Sequence, residues 1–352
     1  MKHAVIGWDL GGAHLKAALL DEQDNVLEVL QLPCKLWLGL DQLEVAISNA
    51  LFAFKIKPAD VHHAVTMTGE LVDLFANRHE GVIAISTLAT KLLDKNTLFY
   101  AAQDSGSHAF VSLERVSALT PYINSANWHA SASVLAMQVN DALLIDIGST
   151  TTDIIVIKAG KVVENAFSDA ARMQADTLIY TGVVRTPVMA LAQKLPVDKV
   201  ETNVAAEYFA TMADVYRLTD ELKKDDAETA DGKGKSALES ARRLARMVGH
   251  DVESKPMQTW LNLAETCKRL QIQQIKTAVL KHLKPNTTIL GAGTGIFLVQ
   301  QIADDLDMKF IHAWEPVYKG FPAQIDASKK HNLEVCFPAY AVALLAKKQL
   351  AQ

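Results

Sequence analysis

A repeat constrains this chain's fold more than any other feature. The apolar run HAVIGWDL ends at Asp9 and turns through Gly11 and Gly12; LKAALLD returns, and NVLEVLQL follows a polar turn at Asp24 and Asn25. Much later, ALLIDIGSTTTDIIVIKAGKVVENAF runs through the same strand–turn–strand–turn–strand pattern. There Asp146-Ile-Gly148-Ser149 takes the place of Asp9-Leu-Gly11-Gly12. Short apolar runs separated by Gly, Asn and Asp are hairpin signals, so each copy predicts a three-stranded antiparallel meander. Helical sequence follows each meander. The expectation is an α/β fold in which two similar sheets face each other across a cleft.

The rest of the chain fills in that frame. DQLEVAISNALFAF sets Leu43, Ile47, Ala50, Leu51 and Phe54 at helical spacing. HHAVTMTG predicts a strand ending at Gly69, with ELVDLFANR helical after it. TTILGAGTGIFLVQQIADDL predicts a strand, a glycine-rich turn and a helix, and KFIHAW a closing strand. Helices are expected over Thr202–Leu218, Ser236–Val248 and Met257–Leu283, within an insertion covering 198–283, and KKDDAETADGKGK is expected to be an exposed loop. The domains are expected at 1–136 and 137–337, with a helix at 338–350, started by Pro338, packing on the first. Val116 to Asn140 lacks Asp, Glu, Lys and Arg, but Pro121, Asn124, Asn127 and His129 interrupt it. It therefore predicts buried helix and loop rather than a membrane span.

A length of 352 residues suits two domains, and 49% hydrophobic with 21% charged residues is the mix of a packed soluble protein. Lys plus Arg number 35 against 40 Asp plus Glu, a net charge of −5. That excludes the basic footprint a nucleic-acid binder needs while leaving room for a local anion pocket. Cys34, Cys267 and Cys336 are scattered and odd in number, so neither a disulfide framework nor a cysteine zinc site is expected. The N-terminal run reaches Asp9 too early for a signal peptide's apolar core. A cytoplasmic protein acting on small molecules, with no nucleic-acid or membrane partner, is the expectation; the oligomeric state is not readable.

Three glycine-rich turns carry the chemistry: Asp9-Leu-Gly11-Gly12, Asp146-Ile-Gly148-Ser149-Thr150-Thr151-Thr152 and Gly291-Ala-Gly293-Thr294-Gly295. Phosphate requires close approach of backbone N–H groups, which glycine permits, and the four hydroxyls add donors. The last turn opens a helix, whose N-terminus favours anions. Asp9 and Asp146 are either turn formers or magnesium and phosphate ligands, and their matched positions favour the second. Glu70, expected to face the cleft, is either a helix-start carboxylate or a binder of a substrate ammonium. Arg185 suits a carboxylate or phosphate, or else a structural salt bridge. Asn127 and His129 line the cleft or form buried hydrogen bonds. His62 and His63 point to opposite faces of a strand and make no metal site. No HExxH or Ser–His–Asp order is present.

On these residues the chain resembles the actin/hexokinase superfamily, whose members pair two ribonuclease-H-like domains around a nucleotide-sized cleft. Within it, DIGSTTTDII is similar to the hydantoinase/oxoprolinase branch. GWDLGGAHLKAA, TMTGELVDLF, SANWHASA, DIGSTTTD, YTGVVRTPV, ADVYRL and TADGKGK together resemble the tetrahydromethanopterin-linked one-carbon pathway proteins, whose archaeal relatives are methanofuran-biosynthesis synthases. Those join an aminomethylfuran-methyl diphosphate to the phenol of γ-glutamyltyramine and release pyrophosphate. The resemblance implies phosphate contact for Lys16, across the first hairpin. It also implies a phosphate donor or a packed side chain for His14, where many relatives carry a hydroxyl or amide. A synthase using magnesium, a diphosphate and a phenolic substrate is the first functional expectation. An ATP-dependent phosphotransferase or ring hydrolase is the second, and a non-catalytic nucleotide-binding scaffold the third.

Overall fold

The computed structural model describes residues 4–103, 108–163, 166–222, 227–319 and 325–351. The first meander is β1 (Val5–Leu10), β2 (His14–Leu20) and β3 (Val26–Pro33). After it come α1 (Leu40–Phe54), β4 (His62–Met67), α2 (Arg78–Leu92), β5 (Leu98–Ala102) and β6 (His108–Val111), then α3 (Leu113–Ile123) and α4 (Asn127–Ala136). The strands form one sheet in the order β3-β2-β1-β4-β5-β6. β4 lies parallel to β1 and to β5, so helices α1 and α2 carry the chain across, as parallel neighbours require. All six residues of β1 are buried, as expected for a continuous apolar run covered on both faces.

The second meander is β7 (Ala142–Ile147), β8 (Thr152–Lys158) and β9 (Lys161–Val163). Then follow α5 (Asp169–Gln174), β10 (Leu178–Ile179), a hairpin of β11 (Lys194–Val197) and β12 (Val200–Asn203), and helices α6 (Met212–Leu218), α7 (Ala237–Arg246) and α8 (Met257–His282). The unit closes with β13 (Thr288–Ala292), α9 (Ile296–Asp305) and β14 (Phe310–His312), before α10 (Ala327–Val335) and α11 (Phe337–Leu350). Its sheet runs β10-β8-β7-β13-β14, with β9 also on β8 and both β13 and β14 parallel to their neighbours. The central strands of the two sheets thus share one order, that of two ribonuclease-H-like units in an actin/hexokinase-like fold.

Helices α4 and α11 join the units. α11 packs on β1, β2, β4 and α4, while α4 packs on β4 and β5 of one sheet and on β8 and β9 of the other. One core holds Val5, Ala18, Ala64 and Tyr100 of the first sheet together with Leu144, Ile155 and Leu290 of the second. Ala339, Ala341, Ala343 and Ala346 let α11 approach closely, and all are buried. The uncharged stretch 116–140 supplies most of α3 and α4, and residues Trp128–Ala136 are wholly buried. No helix among the described residues is long and apolar enough to cross a membrane.

Two local expectations are corrected. ELVDLFANR forms a short 3-10 turn at Gly69–Leu71 and further turns, not a helix. The helix starts at Arg78, because the Asn77 side chain accepts the Glu80 N–H and caps it there. Thr202–Leu218 is not one helix: Val200–Asn203 pairs with Lys194–Val197 around Asp198 and Lys199, both at positive φ. The helix waits for Thr211, whose side chain and that of Asp214 form a reciprocal cap. Of KKDDAETADGKGK, residues 223–226 lie outside the described residues. The remainder is loop and largely exposed, as expected, and Asp231 within it accepts from Arg243 at 3.1 Å.

Candidate active site

The two hairpins share one strand register and one turn hydrogen bond. Asp9 sits directly across from Lys16 in the β1–β2 register, and Asp146 directly across from Asp153 in β7–β8. The Gly11 N–H donates to the His14 carbonyl at 3.1 Å, and the Gly148 N–H to the Thr151 carbonyl at 2.8 Å. The repeat therefore exchanges an Asp–Lys pair for an Asp–Asp pair at one geometric position. Both turns open onto one cleft of about 1370 Å³ lined by Asp9, Gly11, Gly12, His14, Lys16, Asp146, Gly148, Ser149, Thr150 and Thr151. Thr294, Asn127 and Arg185 also line it.

Burial sets the electrostatics. Lys16 Nζ lies 3.7 Å from Asp9 Oδ2, with the Asp9 side chain almost fully enclosed. Burial drives Asp9 above the ordinary carboxylate range, against the opposing pull of Lys16. Burial alone would lower Lys16, but Asp9, Cys336 and Asp146 outweigh it and keep the ammonium charged. Asp146 is pushed up to about 7, by burial first and then by the facing Asp153, with Lys16 opposing and Asp9 adding. Asp153 is raised by burial as well, although Arg172 donates to it at 2.7 Å. Arg172 also donates to the Thr177 carbonyl at 2.7 Å and lies 4.0 Å over the Trp128 ring. Beside them Arg78 donates to Asp169 at 2.7 Å, and the Tyr180 hydroxyl donates to the same carboxylate at 3.3 Å.

Several expected site residues lie elsewhere. Glu70 does not reach the cleft. It is 1% exposed, accepts the Ser125 hydroxyl at 2.7 Å, and has an Oε2 without a hydrogen-bond partner. Thr152 turns inward and donates to the Thr181 carbonyl at 2.7 Å, bracing the loop from behind. Gly291 lies inside β13 under Phe310 and Ile296. Gly293, at φ +90°, brings its loop so near β7 that a Cβ would stand 2.3 Å from Asp146 Oδ1 and from the Ile147 carbonyl. Gly295 donates to that carbonyl at 2.8 Å. Of the third turn, only Thr294 opens to the cleft. His129 is buried in α4, its Nδ1 on the Tyr100 hydroxyl at 2.7 Å.

Beyond the expected residues, Asp153, Arg172, Asp169, Trp37, Trp128 and Tyr180 also line the cleft. Only Asp153 had a signal available, its equivalence to Lys16 in the repeat. The others come from separate elements with no shared motif.

Asp9 and Asp146 each stand two residues before a turn glycine, and Asp9 Oδ1 is buried without a hydrogen-bond partner. Among the described residues no group of three or more His, Cys, Asp or Glu could hold a metal by itself. Oxygen donors in this number suit a magnesium ion that completes its shell with water and phosphate oxygens.

The hydantoinase/oxoprolinase family pattern matches residues 62–321. A relative from Methanocaldococcus jannaschii, named (4-{4-[2-(gamma-L-glutamylamino)ethyl]phenoxymethyl}furan-2-yl)methanamine synthase, is 28% identical over 357 residues, 99% of this chain and 99% of its own. A relative of the same name from Methanococcus vannielii is 27% identical over 218 residues, 60% of this chain and 92% of its own. Among solved structures, a nucleotide-free acetone carboxylase shares the fold with a TM-score of 0.57 at 10% identity, over 96% of this chain and 70% of that one. With the paired hairpins, the shared strand order and the match over 62–321, the chain belongs to the hydantoinase/oxoprolinase family.

Proposed function

We propose that this chain is a synthase of methanofuran-like cofactor biosynthesis. It joins a furan-methyl diphosphate to a tyramine- or tyrosine-type phenol, forming an aryl ether and releasing pyrophosphate. The observation that carries the reading is a single cleft in which two anion-receiving turns stand beside the aromatic side chains Trp37, Trp128 and Tyr180. The name of the two relatives, with its phenoxymethyl link to a furan, supplies the identity of the rings.

The chemistry follows from charge. The bond between the furan-methyl carbon and the diphosphate oxygen breaks, and its electron pair leaves with pyrophosphate. The phenol oxygen forms the new bond to that carbon, and its proton passes to the Asp153 carboxylate, which burial raises above the ordinary carboxylate range. Lys16 and the N–H groups of the turns meet the charge that develops on the leaving oxygen. A magnesium ion held by Asp9 and Asp146 would supply further neutralisation of the diphosphate.

The division at 1–136 and 137–337, with the last helix returned to the first unit, belongs to this proposal, as does a cytoplasmic location. The three cysteines are unpaired and buried, which suits a reducing compartment. An ATP-dependent phosphotransferase or ring hydrolase is the rival reading, favoured by the third loop, whose Thr294, Ile296 and Phe297 line the same cleft. Deleting the gene and measuring the methanofuran-type cofactor by mass spectrometry tests the proposal. Loss of the cofactor is expected; an unchanged level overturns it.

A further inference from the structure

The cations of the cleft are mostly spoken for. Arg78 and Arg172 each donate to a carboxylate at 2.7 Å, from Asp169 and Asp153 respectively, and Lys16 faces Asp9. Arg185 differs: among the described residues its guanidinium has no carboxylate partner, and its neighbour is the face of Trp37, 5.9 Å from the ring centroid. Among the described residues, the salt bridge that would make Arg185 structural is not formed.

Backbone geometry explains why it stands there. The N–H groups of Val184 and Arg185 both donate to the Ser149 carbonyl, at 3.0 and 2.8 Å, so Arg185 hangs directly on the second anion turn. Trp37 belongs to the first. The Cys34 N–H donates to the Ala13 carbonyl at 2.9 Å and the Leu36 N–H to the Gly12 carbonyl at 3.0 Å, which fixes the segment before Trp37 to the first turn. The Arg185 side chain therefore spans from one anion-receiving turn to the flank of the other. It rests on an indole, a surface that holds a guanidinium without consuming its N–H donors.

We propose that Arg185 is the specificity residue for the diphosphate. Parked on Trp37 in the free protein, it turns its planar fork onto the phosphate oxygens when the anion enters between the turns. A fork of N–H donors suits a pair of phosphate oxygens better than a point charge does. The inference deepens the synthase reading and rests on it for naming the anion a diphosphate, while binding of the anion can be measured without any turnover.

The test is titration of the full-length protein with inorganic pyrophosphate and magnesium, by calorimetry and by tryptophan fluorescence. Pyrophosphate should change the fluorescence as Arg185 leaves the Trp37 ring. Trp37→Phe should abolish that change while keeping the affinity. Arg185→Gln should weaken the affinity by about tenfold or more, the scale of a lost charge-assisted pair, and Arg185→Lys should recover part of it. Thermal melts establish that each variant is folded, and Arg185 is exposed, so little loss is expected. Equal pyrophosphate affinity in wild type and Arg185→Gln overturns the inference and leaves the synthase reading standing. Should Arg185→Gln instead raise KM only for phenols that carry a carboxylate, Arg185 serves the acceptor and the inference is wrong. Failure of the wild-type protein to bind pyrophosphate at all contradicts both.

Discussion

Asp146, half-buried, and Glu70, fully buried, are both pushed up to about 7, yet their surroundings give them opposite duties. Asp146 opens to the cleft between Lys16 and Asp153, where a charge can act on a ligand. Replacing it with Asn keeps its size and one acceptor oxygen but removes the charge. Turnover should fall by about a hundredfold or more, the scale of losing one well-placed electrostatic partner, with the melting temperature unchanged at pH 4 and raised above pH 7, since a carboxylate pushed up to about 7 disfavours the fold when charged; steady-state kinetics and a thermal melt check both. Glu70 lies behind the wall, raised chiefly by burial, with the Ser125 and Arg78 contacts lowering it and Asp169 raising it. Its folded pKa of about 7 lies above the ordinary carboxylate value, so the fold prefers the neutral acid. That contribution is complete below about pH 4 and is lost as pH rises through 7. Glu70→Gln should therefore raise the melting temperature at pH 8.5, leave it unchanged at pH 4, and spare turnover. Unfolding curves at the two pH values decide the matter, and a loss of activity in Glu70→Gln would return Glu70 to the site.

The loops that present these residues depend on close backbone contact more than on their own hydrogen bonds. Gly182 is the clearest instance: a Cβ there would stand 2.5 Å from the Thr150 nitrogen and 2.6 Å from the Gly148 oxygen. Backbone cannot yield as a flexible side chain does, so Gly182→Ala should displace the second turn. A stability loss of about 1–3 kcal/mol by denaturant unfolding is expected, together with weaker pyrophosphate binding. The hairpins themselves were legible in the sequence, because alternation and Asp–Gly turns are local signals that the register then preserves. Glu70 and Thr152 were misjudged because nothing in a linear motif tells which side of a loop a residue faces. Arg172 and Trp37 were invisible for a related reason: α5 and the turn after β3 meet the cleft only through tertiary packing. The Thr202–Leu218 segment misled because the Asp198–Lys199 turn prevails over helical spacing.

At the scale of the whole molecule, the cleft is held in shape by a core shared between the two sheets. α4 packs against both sheets and α11 against the first sheet and α4, and Arg78 with Asp169 ties one unit to the other across the site. Unfolding should accordingly be a single transition in calorimetry, with matching calorimetric and van't Hoff enthalpies; two separated transitions would show that the units are independent. The overall architecture was legible in the repeat. The bridging role of α4 was not, since an uncharged stretch announces burial without naming what buries it. The central claim is that the cleft makes an ether by expelling pyrophosphate, and a phenol labelled with ¹⁸O tests it most directly. The purified protein, given that phenol, the furan-methyl diphosphate and magnesium without ATP, should yield an ether that retains the label and unlabelled pyrophosphate in equal amount. No ether, or ether formed only when ATP is consumed, would contradict it.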